Sequence, residues 1–374
     1  MLLWYHPASL RILLDYRPAL RHRTGVGEYA HQMAAALTRQ AGTHDQIVLF
    51  SSSWKDRLSP GVVPGAATVD VRIPVSLLNL AWHRLESPAV ERLAGPADVA
   101  WSLHPLLMPA SRAAQVVTVY DLFFLDHPQA TVREVRRDYV SLAATHAQRA
   151  DAVITISEYT KARIVSRLGV AADRVTVCHP GAPSVSPRSD SANVGPILHV
   201  GTVEPRKNTG ALIDAYADLS RTRASLPPLV FAGIIDRPER PDDVPGVQYR
   251  GYVSDDAKHA LYREASMLVV PSLDEGFGIP VLEAMTAGVP VIAAARGALP
   301  EVLGEAGVLV DFTTVEEFRR GLAEAIARVL DDSGLRGDLA ARGIARARMF
   351  NWDVSASRAR EAFLEAIARR KARR

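Results

Sequence analysis

Cysteine is almost missing from this chain of 374 residues: it has one, Cys178. A single thiol excludes an intramolecular disulfide and any metal site built on several cysteines, and it fits a reducing compartment. Long apolar runs are missing as well. No stretch reaches the roughly 18 uncharged apolar residues that point to a membrane-spanning helix. The start, Met1-Leu2-Leu3-Trp4-Tyr5-His6, has neither the charged n-region nor the long apolar core of a secretory signal, so a cytoplasmic protein is expected. A large surplus of one charge is missing too: 44 Lys and Arg stand against 41 Asp and Glu, a net +3. The sequence has no G-x-x-x-x-G-K-[ST], no H-E-x-x-H and no G-x-S-x-G. It also has no D-x-D, a spacing that holds a divalent cation. His104, His127, His179 and His199 form no ligand spacing, so each reads as a core or surface histidine, and Cys178 reads as buried and inert.

The small positive surplus is unevenly placed. Between Asn351 and Arg374 seven basic residues (Arg358, Arg360, Arg369, Arg370, Lys371, Arg373, Arg374) face three acidic ones (Asp353, Glu361, Glu365). A basic amphipathic helix can meet an anionic lipid surface. It can equally be a solvated helix end, where cations suit the dipole. The tail lacks the aromatic interleaving of a nucleic-acid binder, so no nucleic-acid partner is expected.

What is present is strand–helix alternation. Hydrophobic content of 48% and charged content of 23% are ordinary for a globular protein, and the length favours two domains. Arg11–Asp15, Ile47–Phe50, Val69–Val71, Val99–Trp101, Val116–Val119 and Ala152–Thr155 read as strands, with a helix over Tyr29–Leu37. Ile197–Val200, Leu229–Ala232, Leu268–Val270 and Val289–Ile292 repeat the theme. Short apolar runs buried on both faces make parallel sheets covered by helices. Two doubly wound α/β domains are therefore expected. Pro183–Ser191, rich in Pro, Ser and charge, reads as the linker. The expected boundaries are 1–183, linker 184–195, 196–350, and a final basic helix over 351–374.

Three loops carry chemistry. Pro271–Met285 follows a buried strand and enters a helix near Pro280, where a fixed φ suits the first turn. Gly276 and Gly278 allow close backbone approach, and the helix start favours an anion. Glu275 and Glu283, eight residues apart, suit hydroxyl groups rather than phosphate. Phosphates and hydroxyls together describe a sugar nucleotide. Gly201–Asn208 also follows a strand, and its Arg206 and Lys207 can neutralise a diphosphate, one as a planar fork and one as a point charge. Asn208 is placed to cap the next helix. Thr24-Gly25-Val26-Gly27-Glu28-Tyr29 is like a phosphate-binding turn, but Ala30 fills the third glycine position. No acidic ribose partner stands near Thr43-His44-Asp45, which argues against a nicotinamide site.

Together these residues resemble retaining glycosyltransferases of family 4, with the GT-B fold, over nearly the whole chain. The E-x7-E element Glu275–Glu283, enclosing Gly276-Phe277-Gly278-Ile279-Pro280, carries most of the resemblance, together with the order of the other loops. The resemblance implies two Rossmann-like domains facing a cleft, with the last helix crossing back to the N-terminal domain. It places Arg206 and Lys207 on the donor diphosphate, Glu283 on the ribose, Glu275 on the sugar, and amides around Phe277, Gly278 and Ile279 near the sugar and phosphate. Arg250–Val253, with Tyr252 and Val253, would hold the base. Gly25 and Gly27 would let a loop close over the diphosphate. Ser157–Thr160 resembles a family segment of open role. The family usually has His-Asp-Leu where this chain has Tyr120-Asp121-Leu122, so Tyr120 is expected in the positioning role and Asp121 as base or acceptor-orienting group.

The expected reaction is transfer from a nucleotide-diphosphate sugar to a hydroxyl of a glycan or lipid-linked acceptor, without a metal or other cofactor. The stretches Thr24–Tyr29 and Tyr120–Pro128 look most like bacterial polysaccharide mannosyltransferases, which favours GDP-mannose. Peripheral contact with the inner membrane face is part of the expectation. The alternatives are a phosphorylase or epimerase on the same scaffold, or a sugar-nucleotide-binding subunit of weak activity.

Overall fold

The structure, a computed structural model, describes residues 9–20, 23, 25–42, 44–131, 133–188, 194–234 and 244–374. The chain divides into two compact units, Met1–Gly181 with Asn351–Arg374, and Ala182–Phe350.

In the first unit, strands β1 (Arg11–Asp15), β2 (Gln46–Ser52), β3 (Ala67–Val71), β4 (Val99–Ser102), β5 (Ala114–Val119), β6 (Ala152–Thr155) and β7 (Val175–Val177) form a parallel sheet in the order β3-β2-β1-β4-β5-β6-β7. The strands β4, β5 and β6 are buried at every residue, which is why they are written almost without polar alternation. Chain order reverses between β1 and β4, which pair Ile12 with Val99 and Leu14 with Trp101.

The second unit holds β8 (Ile197–Val200), β9 (Leu229–Ala232), β10 (Val247–Tyr249), β11 (Met267–Val270), β12 (Val291–Ala294) and β13 (Val308–Val310), parallel in the order β10-β9-β8-β11-β12-β13. Its reversal lies between β8 and β11, where Leu198 pairs with Leu268. In a sheet of this kind ligands bind beyond the carboxyl ends of the strands that flank such a reversal.

Three strands were not foreseen. β7, β10 and β13 are three residues long and lie at sheet edges, too short for a periodic signal. The strand expected over Val289–Ile292 begins only at Val291. Pro290 has no N–H for the ladder, and its carbonyl accepts from Leu268 N at 2.9 Å instead. The first helix is also longer than its apolar pattern, running Val26–Ala41.

The helix Trp352–Ala372 belongs to the first unit. It buries Ala356, Ala359, Phe363 and Ala366, and Phe363 meets Trp101 edge-on at 5.2 Å. Several of its basic residues bond to that unit. Arg360 pairs with Asp45 at 2.6 Å, Arg373 with the buried Asp151 at 3.2 Å, and Arg370 and Arg374 donate to the carbonyls of Ala110 and Ser111. These contacts fasten the helix to the first unit. Among the described residues no helix is long and apolar enough to cross a membrane.

Candidate active site

The two informative loops of the second unit emerge side by side at its reversal point. Gly201–Asn208 leaves β8 and Pro271–Gly278 leaves β11, and Leu273 N donates to Arg206 O at 2.9 Å to join them. Between them sits Glu275, only 6% exposed. Lys207 Nζ lies 2.6 Å from Glu275 Oε1, and Arg206 Nη1 lies 3.3 Å from Oε2. Arg206 also bonds Glu204 Oε1 and the Asp274 carbonyl, each at 3.1 Å. Burial pushes the Glu275 pKa up. The adjacent Lys207 and Arg206 charges, with the hydrogen bond from Lys207, outweigh it and hold the carboxyl below its ordinary value. The result is a pair of preorganised cations beside a helix start.

That helix is Ile279–Thr286. Gly278 is its N-cap at φ +103, and Pro280 falls in its first turn. A Cβ on Gly278 would lie 2.8 Å from Leu299 Cδ2. Phe277 is 2% exposed and meets Phe350 edge-on at 5.5 Å, so its ring serves the core.

Glu283 is held apart from Glu275 by different partners. It takes Lys258 Nζ at 2.7 Å on Oε1 and Tyr262 OH at 2.9 Å on Oε2. It lines a cavity of about 390 Å³ with Pro183, Arg188, His259, Tyr262 and Arg263. Burial lowers the Lys258 pKa, and Glu283 together with Asp255 more than reverses that, leaving it raised. Lys258 and Tyr262 escaped the sequence reading. Their i, i+4 spacing puts them on one face of the helix Asp255–Glu264, but their partner is more than twenty residues away. Tyr252, 63% exposed, and Val253 lie between β10 and that helix.

Asn208 stands at the N-cap of the helix Thr209–Thr222 but makes no side-chain cap bond, because it adopts the left-handed conformation at φ +50. The Gly201 loop is set instead by Gly233, at φ +155, where a Cβ would lie 1.9 Å from Gly201 O. Gly233→Ala is therefore expected to force the loop outward and to destabilise the protein by about 1–3 kcal/mol. Chemical denaturation checks this, and unchanged stability would refute it.

In the first unit Gly25 is the N-cap of Val26–Ala41 at φ +48, while Gly27 lies inside that helix and is buried, so it is not a loop glycine. Thr24 falls outside the described residues. Tyr120, just past β5, meets Tyr29 edge-on at 5.4 Å. Its hydroxyl is buried without a hydrogen-bond partner among the described residues, and burial raises its pKa well above the ordinary value, so it remains a neutral donor. Asp121 Oδ1 accepts from Phe123 N at 3.1 Å, the Asx-turn geometry. Ser157 caps the helix Glu158–Leu168, and Thr160 Oγ1 donates to Tyr120 O at 3.3 Å, so this segment braces the Tyr120 backbone.

One cluster was missed. At the reversal point of this unit the fully buried Asp15 takes Arg17 Nη2 at 2.7 Å and lies 3.1 Å from His104 Nε2. Burial pushes its carboxyl up, and Arg17 and His104 overcome that and hold it far below the carboxylate range. Only its place at the end of the first strand hinted at it.

Solved structures show the fold. A sucrose-phosphate synthase from Thermosynechococcus elongatus matches at TM-score 0.74 and 21% identity, covering 96% of this chain and all of that one. Anabaena HepE, solved in complex with UDP and glucose, matches at 0.69 and 18%, covering 94% and 98%. WaaG, a glycosyltransferase involved in lipopolysaccharide biosynthesis, matches at 0.68 and 18%, covering 93% and 98%. The fold is GT-B, and the protein is a glycosyltransferase. Residues 23–184 match the model described as Glycosyltransferase Family 4 and residues 192–346 the one described as Glycosyl transferases group 1, and the chain belongs to this family. It is 27% identical to the O-antigen chain mannosyltransferase B of Escherichia coli, over 92% of this chain and 97% of the relative. It is 29% identical to the Escherichia coli serotype-specific mannosyltransferase WbdA over 61% of this chain and 30% of that longer protein.

Proposed function

We propose that the enzyme transfers mannose from GDP-mannose to a hydroxyl of a free or lipid-linked glycan, with retained anomeric configuration and without a metal. The observation that carries the nucleotide-sugar reading is Glu275 seated on Lys207 and Arg206 at the reversal point. In the reaction the bond from the anomeric carbon to the diphosphate oxygen breaks, and the electron pair leaves with the diphosphate. A bond from the acceptor oxygen forms on the same face. Lys207, Arg206 and the start of the helix Ile279–Thr286 stabilise the departing charge, the role a metal plays elsewhere. Glu283 accepts from the ribose hydroxyls, and Glu275 from the sugar. The exposed Tyr252 supports the base beside Arg250–Val253. Mannose is favoured by similarity to the two mannosyltransferases. A ligand that prefers the native state raises the melting point by mass action. A panel of nucleotide sugars is expected to show the largest rise with GDP-mannose, undiminished by EDTA. A larger rise with UDP- or dTDP-sugars would overturn the donor assignment, and loss of transfer in EDTA the metal-free one.

Tyr120 positions the sugar and Asp121 takes the acceptor proton in this reading. Tyr120→Phe removes a buried hydroxyl that has no partner among the described residues, so the melting point is expected to hold or rise. Loss of a hydrogen bond used only during reaction lowers the rate about tenfold. Asp121→Asn keeps an oxygen for Phe123 N. A fall of about 10² or more at an unchanged melting point identifies the base. Full activity in both variants would place the acceptor chemistry elsewhere.

A further inference from the structure

His199 occupies an interior position of β8, between aliphatic neighbours, and is fully buried. Its Nδ1 lies 2.9 Å from the Val269 carbonyl on β11. A carbonyl only accepts, so Nδ1 carries the proton and Nε2 presents a lone pair. Burial, aided by the nearby Lys207 charge, moves the pKa down to about 4 against the opposing pull of the Val269 bond and Glu275, so the ring is neutral at neutral pH. Nε2 is buried and makes no hydrogen bond among the described residues. A buried acceptor without a partner is costly and calls for a reason.

The surroundings supply one. A Cβ built on Gly201 would lie 3.6 Å from His199 Nε2 and 3.7 Å from Lys207 Cε, so the imidazole and the lysine stem flank one small space above Gly201. A diphosphate at neutral pH offers only acceptors, which repel a lone pair. An ammonium has three N–H donors, and here one is directed at Glu275.

We propose that His199 is a positioning residue for Lys207: its Nε2 accepts one ammonium N–H as Lys207 turns from Glu275 toward the donor diphosphate, holding the cation on the leaving group. This rests on the nucleotide-sugar reading above.

Two variants separate this role from packing. Asparagine places an N–H near the Nδ1 position and keeps the Val269 bond, but offers no acceptor at Nε2. Glutamine places an oxygen near Nε2 and gives up the Val269 bond. His199→Asn is expected to melt near the wild type while kcat falls about tenfold to a hundredfold with little change in donor KM. His199→Gln is expected to melt lower yet recover most of the lost kcat. Full kcat in His199→Asn, or kcat that merely follows the melting point in both, would overturn the proposal. A second measurement needs no variant. Imidazole 15N NMR of the wild type with added GDP is expected to move Nε2 from a free to a hydrogen-bonded lone pair, and an unmoved resonance with GDP bound would overturn it. Failure of the wild type to bind any nucleoside diphosphate would instead sink the nucleotide-sugar reading, and this inference with it.

Discussion

Lys207→Ala is expected to lower the rate of sugar transfer by about 10²–10³, the size of effect seen when one preorganised donor to a developing charge is removed. Arg206→Ala is expected to act in the same direction with a smaller effect, because Arg206 also serves Glu204 and the Asp274 carbonyl. Affinity for GDP should weaken by about 1.5–3 kcal/mol in Lys207→Ala, as for loss of a hydrogen bond to a charged group. Part of any stability loss comes from Glu275, left buried with one cation instead of two. Calorimetric titration with GDP and steady-state kinetics, both on protein checked by circular dichroism, measure the three effects separately. Unchanged GDP affinity in both variants would remove the diphosphate assignment.

Glu275→Gln should behave differently. The carboxylate is the counter-ion of both cations, so neutralising it leaves them more available to a diphosphate. GDP affinity is therefore expected to hold or tighten while transfer falls about 10² through loss of sugar orientation. Glu283→Gln is the contrast, expected to weaken GDP and GDP-mannose alike; the opposite pattern would show the two roles exchanged. The pH dependence has a fixed sign. The folded Glu275 pKa is depressed below its ordinary 4.5, so its contribution to stability is complete above that value and is lost as pH falls through the lower folded one. The stability gap between wild type and Glu275→Gln, followed by denaturation from neutral to acid pH, should close at the acid end. A gap that widens there would contradict the charge pairing.

Much of this was readable in advance, for identifiable reasons. The runs Arg11–Asp15, Ala152–Thr155, Ile197–Val200 and Leu229–Ala232 are strands with those bounds, because strands buried on both faces are written as mostly apolar runs. The edge strands β7, β10 and β13 are too short to leave a pattern. The loops after β8 and β11 were conspicuous through their glycine, proline and charge. Their adjacency was not, since it depends on sheet order, and the pairing of Lys207 with Glu275 spans 68 residues. For the same reason the Lys258 and Tyr262 partners of Glu283 left no local trace. His199 looked like an ordinary core residue, because a sequence lists neighbours along the strand and not the atom its ring faces. Gly27 was misplaced by the opposite error. Its Gly-x-Gly spacing suggested a loop, but the helix had already begun at Val26.

The central claim is transfer of a sugar from a nucleotide to a hydroxyl, and acceptor-dependent release of nucleoside diphosphate tests it most directly. Purified protein is mixed with GDP-mannose, with and without a mannose-terminated glycan, and GDP and the new glycoside are measured together by chromatography and NMR. The account predicts one GDP per glycoside, formed only with the acceptor and carrying the donor's anomeric configuration. GDP released equally without acceptor, or a glycoside of inverted configuration, would contradict it.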